Sequence, residues 1–182
     1  MFLFPSPEPF LISSLRMGFA YLLNAGAPLA TFSIPDNVEL AYCHESEIVL
    51  HRGVGTTFFP LMSVLEGEVR FPIDPLLLNT LRYYGLSADQ LPPNFYRVVS
   101  CVGRLNQTFG LQLYHPDVNH MYSFCEKKKS NYYLKTRDTR VGLISCLPDS
   151  NRNSGGEYIW VCGNWFSGDI PPPLSRYKVG LS

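Results

Sequence analysis

Charge is scarce in this chain: Asp, Glu, Lys and Arg make up 16% of its 182 residues, against about a quarter in an ordinary soluble domain. The five cysteines are few and widely spaced, and no two stand as C-x-x-C. That argues against a disulfide scaffold and against a structural zinc site, which need close ligand pairs. Long apolar runs are missing too. Pro5, Pro7, Pro9 and Pro28 break up the first residues and Arg16 splits them, so no stretch reaches the roughly 18 apolar residues of a spanning helix. No internal repeat recurs, which argues against a solenoid or a propeller.

What is present is apolar and aromatic material. Hydrophobic residues are 46% of the chain and aromatics 14%, enough for a core and for an adhesive surface. The net charge is zero but unevenly spread. Residues 1–100 carry nine acids and five bases, and residues 101–182 carry six acids and ten bases. This asymmetry fits an anionic partner for the second half, or charge matching between two halves of one fold. Unpaired cysteines fit reduced, buried thiols and an intracellular location, nucleus or cytoplasm. Met17–Ala30 imitates the apolar core and small-residue cleavage site of a signal peptide, so secretion is the alternative.

Residues 1–33 read as an irregular leader, 34–168 as the folded domain and 169–182 as a proline-containing tail. Within the domain, Phe59–Glu68 has Leu61, Val64 and Leu65 at helical spacing. Asp74 suits an N-cap and Pro75 the first helical position; Leu77, Leu78, Leu81 and Tyr84 follow, and Gly85 closes that helix. Ser87 and Gln90 form a capping-box pattern. Asn94 is the expected cap of a helix over Phe95–Phe109, with Phe95, Val98, Val99, Val102, Leu105 and Phe109 as its apolar stripe. Pro116 is expected to open a fourth helix through Val118, Met121, Tyr122 and Cys125, running into Lys127–Lys129. The period then changes to two, and Asn131–Arg137, Val141–Leu147 and Tyr158–Cys162 read as strands. The expected class is α+β: about four helices in the N-terminal and central part, then a small antiparallel sheet.

These segments, in this order, carry a family resemblance. Arg70-Phe71-Pro72-Ile73-Asp74-Pro75 precedes a helix ending in Tyr84-Gly85-Leu86. Gln90-Leu91-Pro92-Pro93 and Asn94-Phe95-Tyr96-Arg97 follow, then Tyr132-Tyr133, Leu147-Pro148-Asp149-Ser150-Asn151 and Tyr158-Ile159-Trp160-Val161. Over roughly residues 34–166 the chain resembles the gypsy-type transposon domain of plants, which some of its names call a transposase. It departs from that pattern in the loop Asn151–Gly156, which holds one base, Arg152, where the family tends to carry several. The resemblance implies a domain of a plant gypsy-type retrotransposon or its relic, part of a gag-like assembly protein.

Catalysis is not expected. Strand transfer needs carboxylates converging on two metal ions, and Glu66, Glu68, Asp74, Asp117 and Asp149 stand in no such arrangement. Asp149-Ser150 lacks the glycine of an aspartic-protease turn. His44 and His51 lack metalloprotease spacing, and His115, His120 and Cys125 read as surface and core residues rather than metal ligands. The sequon Asn106-Gln107-Thr108 lies in an expected helix. No motif points to a cofactor, a metal, a small-molecule substrate or a membrane.

The densest chemistry lies in Lys127–Arg140, where Lys127, Lys128, Lys129, Lys135, Arg137 and Arg140 stand with Tyr132 and Tyr133 against one acid, Asp138. Bases neutralise phosphates and tyrosine rings can stack on nucleobases. A lysine-rich helix end beside a guarded edge strand has the same composition. The leading expectation is therefore a non-catalytic structural or interaction domain that self-associates. The alternative is a non-specific nucleic-acid-binding module using residues 127–140, and a transposition enzyme comes last.

Overall fold

The computed structural model describes residues 34–51, 55–127, 131–138, 144, 147 and 156–167. The α+β class holds, with four α-helices and two small antiparallel sheets among these residues. The strands do not all follow the helices. β1 (Val38–His44) and β2 (Thr57–Pro60) come first in the chain and flank β5 (Glu157–Gly163) in the order β1-β5-β2. The register runs from Val38 opposite Gly163 to His44 opposite Glu157, and Thr57 lies opposite Val161. Residues 98 to 125 apart in sequence thus share one sheet, and no local pattern encodes that pairing.

β5 is buried on both faces. Ile159 and Val161 point with Phe59 into the main core, and all three are fully enclosed. Phe59 meets the rings of Phe71, Tyr96 and Trp165 at 5.4–5.9 Å. On the other face Tyr158 packs with Cys43, Phe58 and Ile48, the last carried by the 3-10 turn Glu45–His51 that folds over the sheet. The expected helix over Phe59–Glu68 is shorter: α1 is Leu61–Leu65. Phe58 and Phe59 belong to β2 because a continuous apolar run can be buried on both faces of a strand as readily as in a helix. Pro60, which has no N–H to donate, ends the strand where it costs least.

α2 (Pro75–Tyr84) forms as its signals predict. Asp74 Oδ1 accepts from the Leu76 N–H at 2.7 Å, and Gly85 closes the helix at φ 62°. In the following turn Gln90 Oε1 accepts from the N–H and the hydroxyl of Ser87, both at 2.9 Å. α3 (Pro93–Phe109) begins earlier than expected, with Pro92 as its cap and Pro93 at its first position. Asn94 is not the cap; its side-chain oxygen accepts from Arg97 Nη1 at 2.9 Å. Arg97 also reaches the end of α1, donating to the Glu66 carbonyl at 2.6 Å and to its carboxylate at 3.1 Å. Phe95 and Tyr96 are wholly buried, and the Tyr96 hydroxyl donates to the Ala88 carbonyl at 2.6 Å. The Asn94–Arg97 motif is thus a structural joint: two rings fill the core and a guanidinium ties α1 to α3.

α4 (His115–Met121) is short. The expected continuation through Tyr122 and Cys125 is corrected: Tyr122–Lys127 is a strand, β3, paired with β4 (Asn131–Thr136). Tyr, Phe and Cys at alternating positions suit a pleat as well as a helix face, and pairing with β4 decides between them. Strand Val141–Leu147 and the tail 169–182 lie outside the described residues, apart from Ile144 and Leu147. Among the described residues no helix is long and apolar enough to cross a membrane.

Candidate nucleic-acid interface

The basic segment is built on the β3–β4 hairpin. Antiparallel pairing puts directly opposed residues on the same face. Phe124 opposite Leu134, and Tyr122 opposite Thr136, make up one face. It is turned to the core, because Phe124 stacks on Tyr84 at 4.0 Å and meets Phe95 at 5.8 Å. Tyr132, opposite Glu126, belongs to this face. Tyr133, opposite Cys125, and Lys135, opposite Ser123, belong to the other. The pleat therefore separates the tyrosine pair that the sequence places side by side. Tyr133 is half-buried and Lys135 is exposed.

Lys127 closes β3 opposite Asn131, a strand end and not the expected helix end. Lys128, Lys129 and Arg140 lie outside the described residues. Arg137 follows β4 directly: its N–H donates to the Met121 carbonyl at 3.0 Å and its Nε to the Asn119 carbonyl at 2.8 Å. The end of α4 thus holds this guanidinium in place while the side chain stays exposed. A pinned cation loses less freedom on meeting a phosphate than a free lysine does.

One group of residues at this end of the fold was not legible as a site. Tyr83, in the last turn of α2, is 61% exposed. Its ring lies 4.0 Å from that of His115 at the start of α4, tilted by 33°, and 4.9 Å edge-on from Tyr84. Burial, with the Tyr83 phenol beside it, raises the Tyr84 phenol above its ordinary value, and the nearby Arg137 charge pulls it back down. In the same turn the Nε and Nη2 donors of Arg82 are buried with no hydrogen-bond partner among the described residues. The sequence did hold a signal: Tyr83 is an aromatic standing off the apolar stripe of its helix, beside an arginine.

A second exposed group lies between α3 and α4. Phe109 is 67% exposed, Leu111 44% and Tyr114 55%. The loop after Phe109 is fixed at its C-terminal end. Asn106 Nδ2 donates to the Leu113 carbonyl at 2.8 Å, and Asn106 Oδ1 accepts from the Leu113 N–H at 2.9 Å. Asp117 Oδ2 accepts from the Tyr114 N–H at 2.8 Å. The side-chain amide of the sequon is committed to this loop. Phe109, expected on the buried stripe of α3, lies instead at its open end.

The carboxylates weighed for metal chemistry have other partners. Glu66 pairs with Arg97 and Glu68 with Arg104, while Asp74 and Asp117 cap helices. Asp149 lies outside the described residues. His44 is exposed, with Nδ1 at 2.8 Å from Ser46 Oγ. Among the described residues no three His, Cys, Asp or Glu side chains are grouped to hold a metal ion. No family model matches the chain, and no curated protein or solved structure matches it either.

Proposed function

We propose that this chain is a non-catalytic interaction domain that associates with further copies of itself, as a gag-like assembly part of a gypsy-type element would. The observation that carries the reading is the anchored loop between α3 and α4, with Phe109, Leu111 and Tyr114 exposed. Exposed apolar groups on a wandering loop lose ordering entropy on binding; groups on a loop pinned by Asn106 and Asp117 lose less. The element class rests on the order of motifs between residues 34 and 166. Sedimentation of the purified chain tests the association: it should self-associate, and 1 M salt should not weaken it, because apolar contacts are not screened. Replacing Phe109, Leu111 and Tyr114 together by Ser should leave a monomer with unchanged melting. A parent chain that stays monomeric at high concentration would remove the reading.

The second reading is a non-specific nucleic-acid-binding module. What favours it is the exposed Lys135, which shares a face of the hairpin with the half-buried Tyr133, together with Arg137, held after β4 by the Asn119 carbonyl. Contacts of this kind act through phosphates and weaken steeply with salt.

A further inference from the structure

The nucleic-acid reading leaves open what the ligand is and where its bases go. Tyr132 shares the core-facing side of the hairpin with Phe124 and Leu134. Tyr133 is half-buried. Neither presents a free ring. Tyr83 does: it is the most exposed tyrosine among the described residues, at 61%. It is also already part of a ring stack, 4.0 Å from His115.

Connectivity joins that ring pair to the basic hairpin. Tyr83 touches Tyr84, Tyr84 stacks on Phe124 of β3, and Arg137 at the end of β4 is tied to Asn119 of α4. The end of α2, the start of α4 and the root of the hairpin are therefore one neighbourhood. An exposed ring near a cation is what an unpaired strand requires: a π-face for the base and positive charge for the backbone. A duplex keeps its base faces stacked and offers only phosphates.

Resting on the nucleic-acid reading above, we infer that the ligand is single-stranded nucleic acid, with the Tyr83–His115 ring pair as the stacking platform and Arg137 as a phosphate contact. The platform extends an existing stack, so the incoming base adds a third layer above a ring already held in place. Specificity is low, because every base has a π-face and nothing here reads base edges.

The test is binding of the full chain to labelled oligo(dT) and oligo(U), with a duplex of equal length as comparison, over a salt series. The parent should prefer the single strands. Tyr83→Ala should weaken them by about tenfold and leave duplex binding nearly unchanged, as expected for loss of one stacked base. Tyr83→Trp should keep or improve binding. Arg137→Gln should lower the salt slope by about 0.7, the value for one phosphate on a single strand. Melting curves of each variant verify folding, and the exposure of Tyr83 predicts little change. A parent that binds no nucleic acid at low salt overturns both the reading and this inference. If the parent binds, Lys135→Gln weakens it, and Tyr83→Ala and His115→Ala do not, the hairpin reading stands and the platform is wrong. If Tyr83→Ala instead abolishes salt-insensitive self-association, the ring pair is a protein contact, and the inference is overturned.

Discussion

Cys43 is a small hydrophobe in the cluster beneath the 3-10 turn, with no exposed surface. Burial, and secondarily the Glu47 carboxylate, push its thiol up from 9.0 to about 11. The folded chain therefore keeps a proton that the unfolded chain gives up. The stability tied to that proton is complete below pH 9 and is lost as pH climbs from about 9 to about 11. At pH 10 the loss is about 1.4 kcal/mol, the value of one pKa unit. Tyr42 and Tyr96, both raised above 10.0 by burial, add their share only at higher pH. Urea midpoints at pH 8, 9 and 10 should fall for the parent and fall less for Cys43→Ala. Equal slopes for the two proteins would show that the thiol does not carry the effect. Asp74 illustrates the opposite case, a residue whose role was readable from its neighbours alone. Its N-cap bond follows from Asp-Pro before a leucine run.

At the scale of elements, α2 packs on α3, and Leu78, Leu81, Val98 and Val102, the side chains expected to form that contact, are each at most 2% exposed. Leu105, expected in this contact, is only partly buried. Val102→Asp places a carboxylate where no partner can reach it, a cost of several kcal/mol against a total margin of about 5–15 kcal/mol. The variant should lose cooperative melting and near-ultraviolet circular dichroism. An unchanged transition would refute the assignment of this interface. The hairpin shows where element reading is weaker. Asn131–Arg137 was legible as a strand, and alternation alone places Tyr132 and Tyr133 on opposite faces. The other arm was not legible, because Tyr122 and Cys125 fit the face of a helix begun at Pro116 as well as a pleat. A period needs several repeats to be distinctive, and this segment has too few.

At the scale of the whole molecule, the charge asymmetry of the two halves is partly spent inside the fold. Arg104 of the basic half pairs with Glu68 of the acidic half. Glu66 and Arg97 pair within the acidic half. These pairs, and the capping roles of Asp74 and Asp117, engage four of the five carboxylates weighed as candidates for metal-dependent strand transfer. Asp74 is also closely packed: a Cβ at Gly103 would come within 3.1 Å of its Oδ2. The purified chain, incubated with linear and supercoiled DNA and Mg²⁺ or Mn²⁺, should leave both intact. Asp74→Asn keeps a capping oxygen and should fold, so cleavage by the parent that disappears in this variant would expose an active site.

The sequence by itself determined the parts whose signals are local. Caps, prolines and glycines set α2 and the turn after it, and a 3.6-residue stripe set most of α3. Alternation set β4 and β5, and together these were enough for the α+β class. Tertiary structure decided what depends on distant partners. β1 and β2 exist as strands because β5, about a hundred residues later, supplies their hydrogen bonds. Phe59 is strand rather than helix for the same reason. The candidate site divides in the same way. The bases of residues 127–140 are visible as composition, whereas the Tyr83–His115 pair is not, since it joins residues 32 apart, near the end of one helix and at the start of another. Local signals record the backbone preferences of neighbours; a surface assembled from separate elements exists only once the core has packed them together.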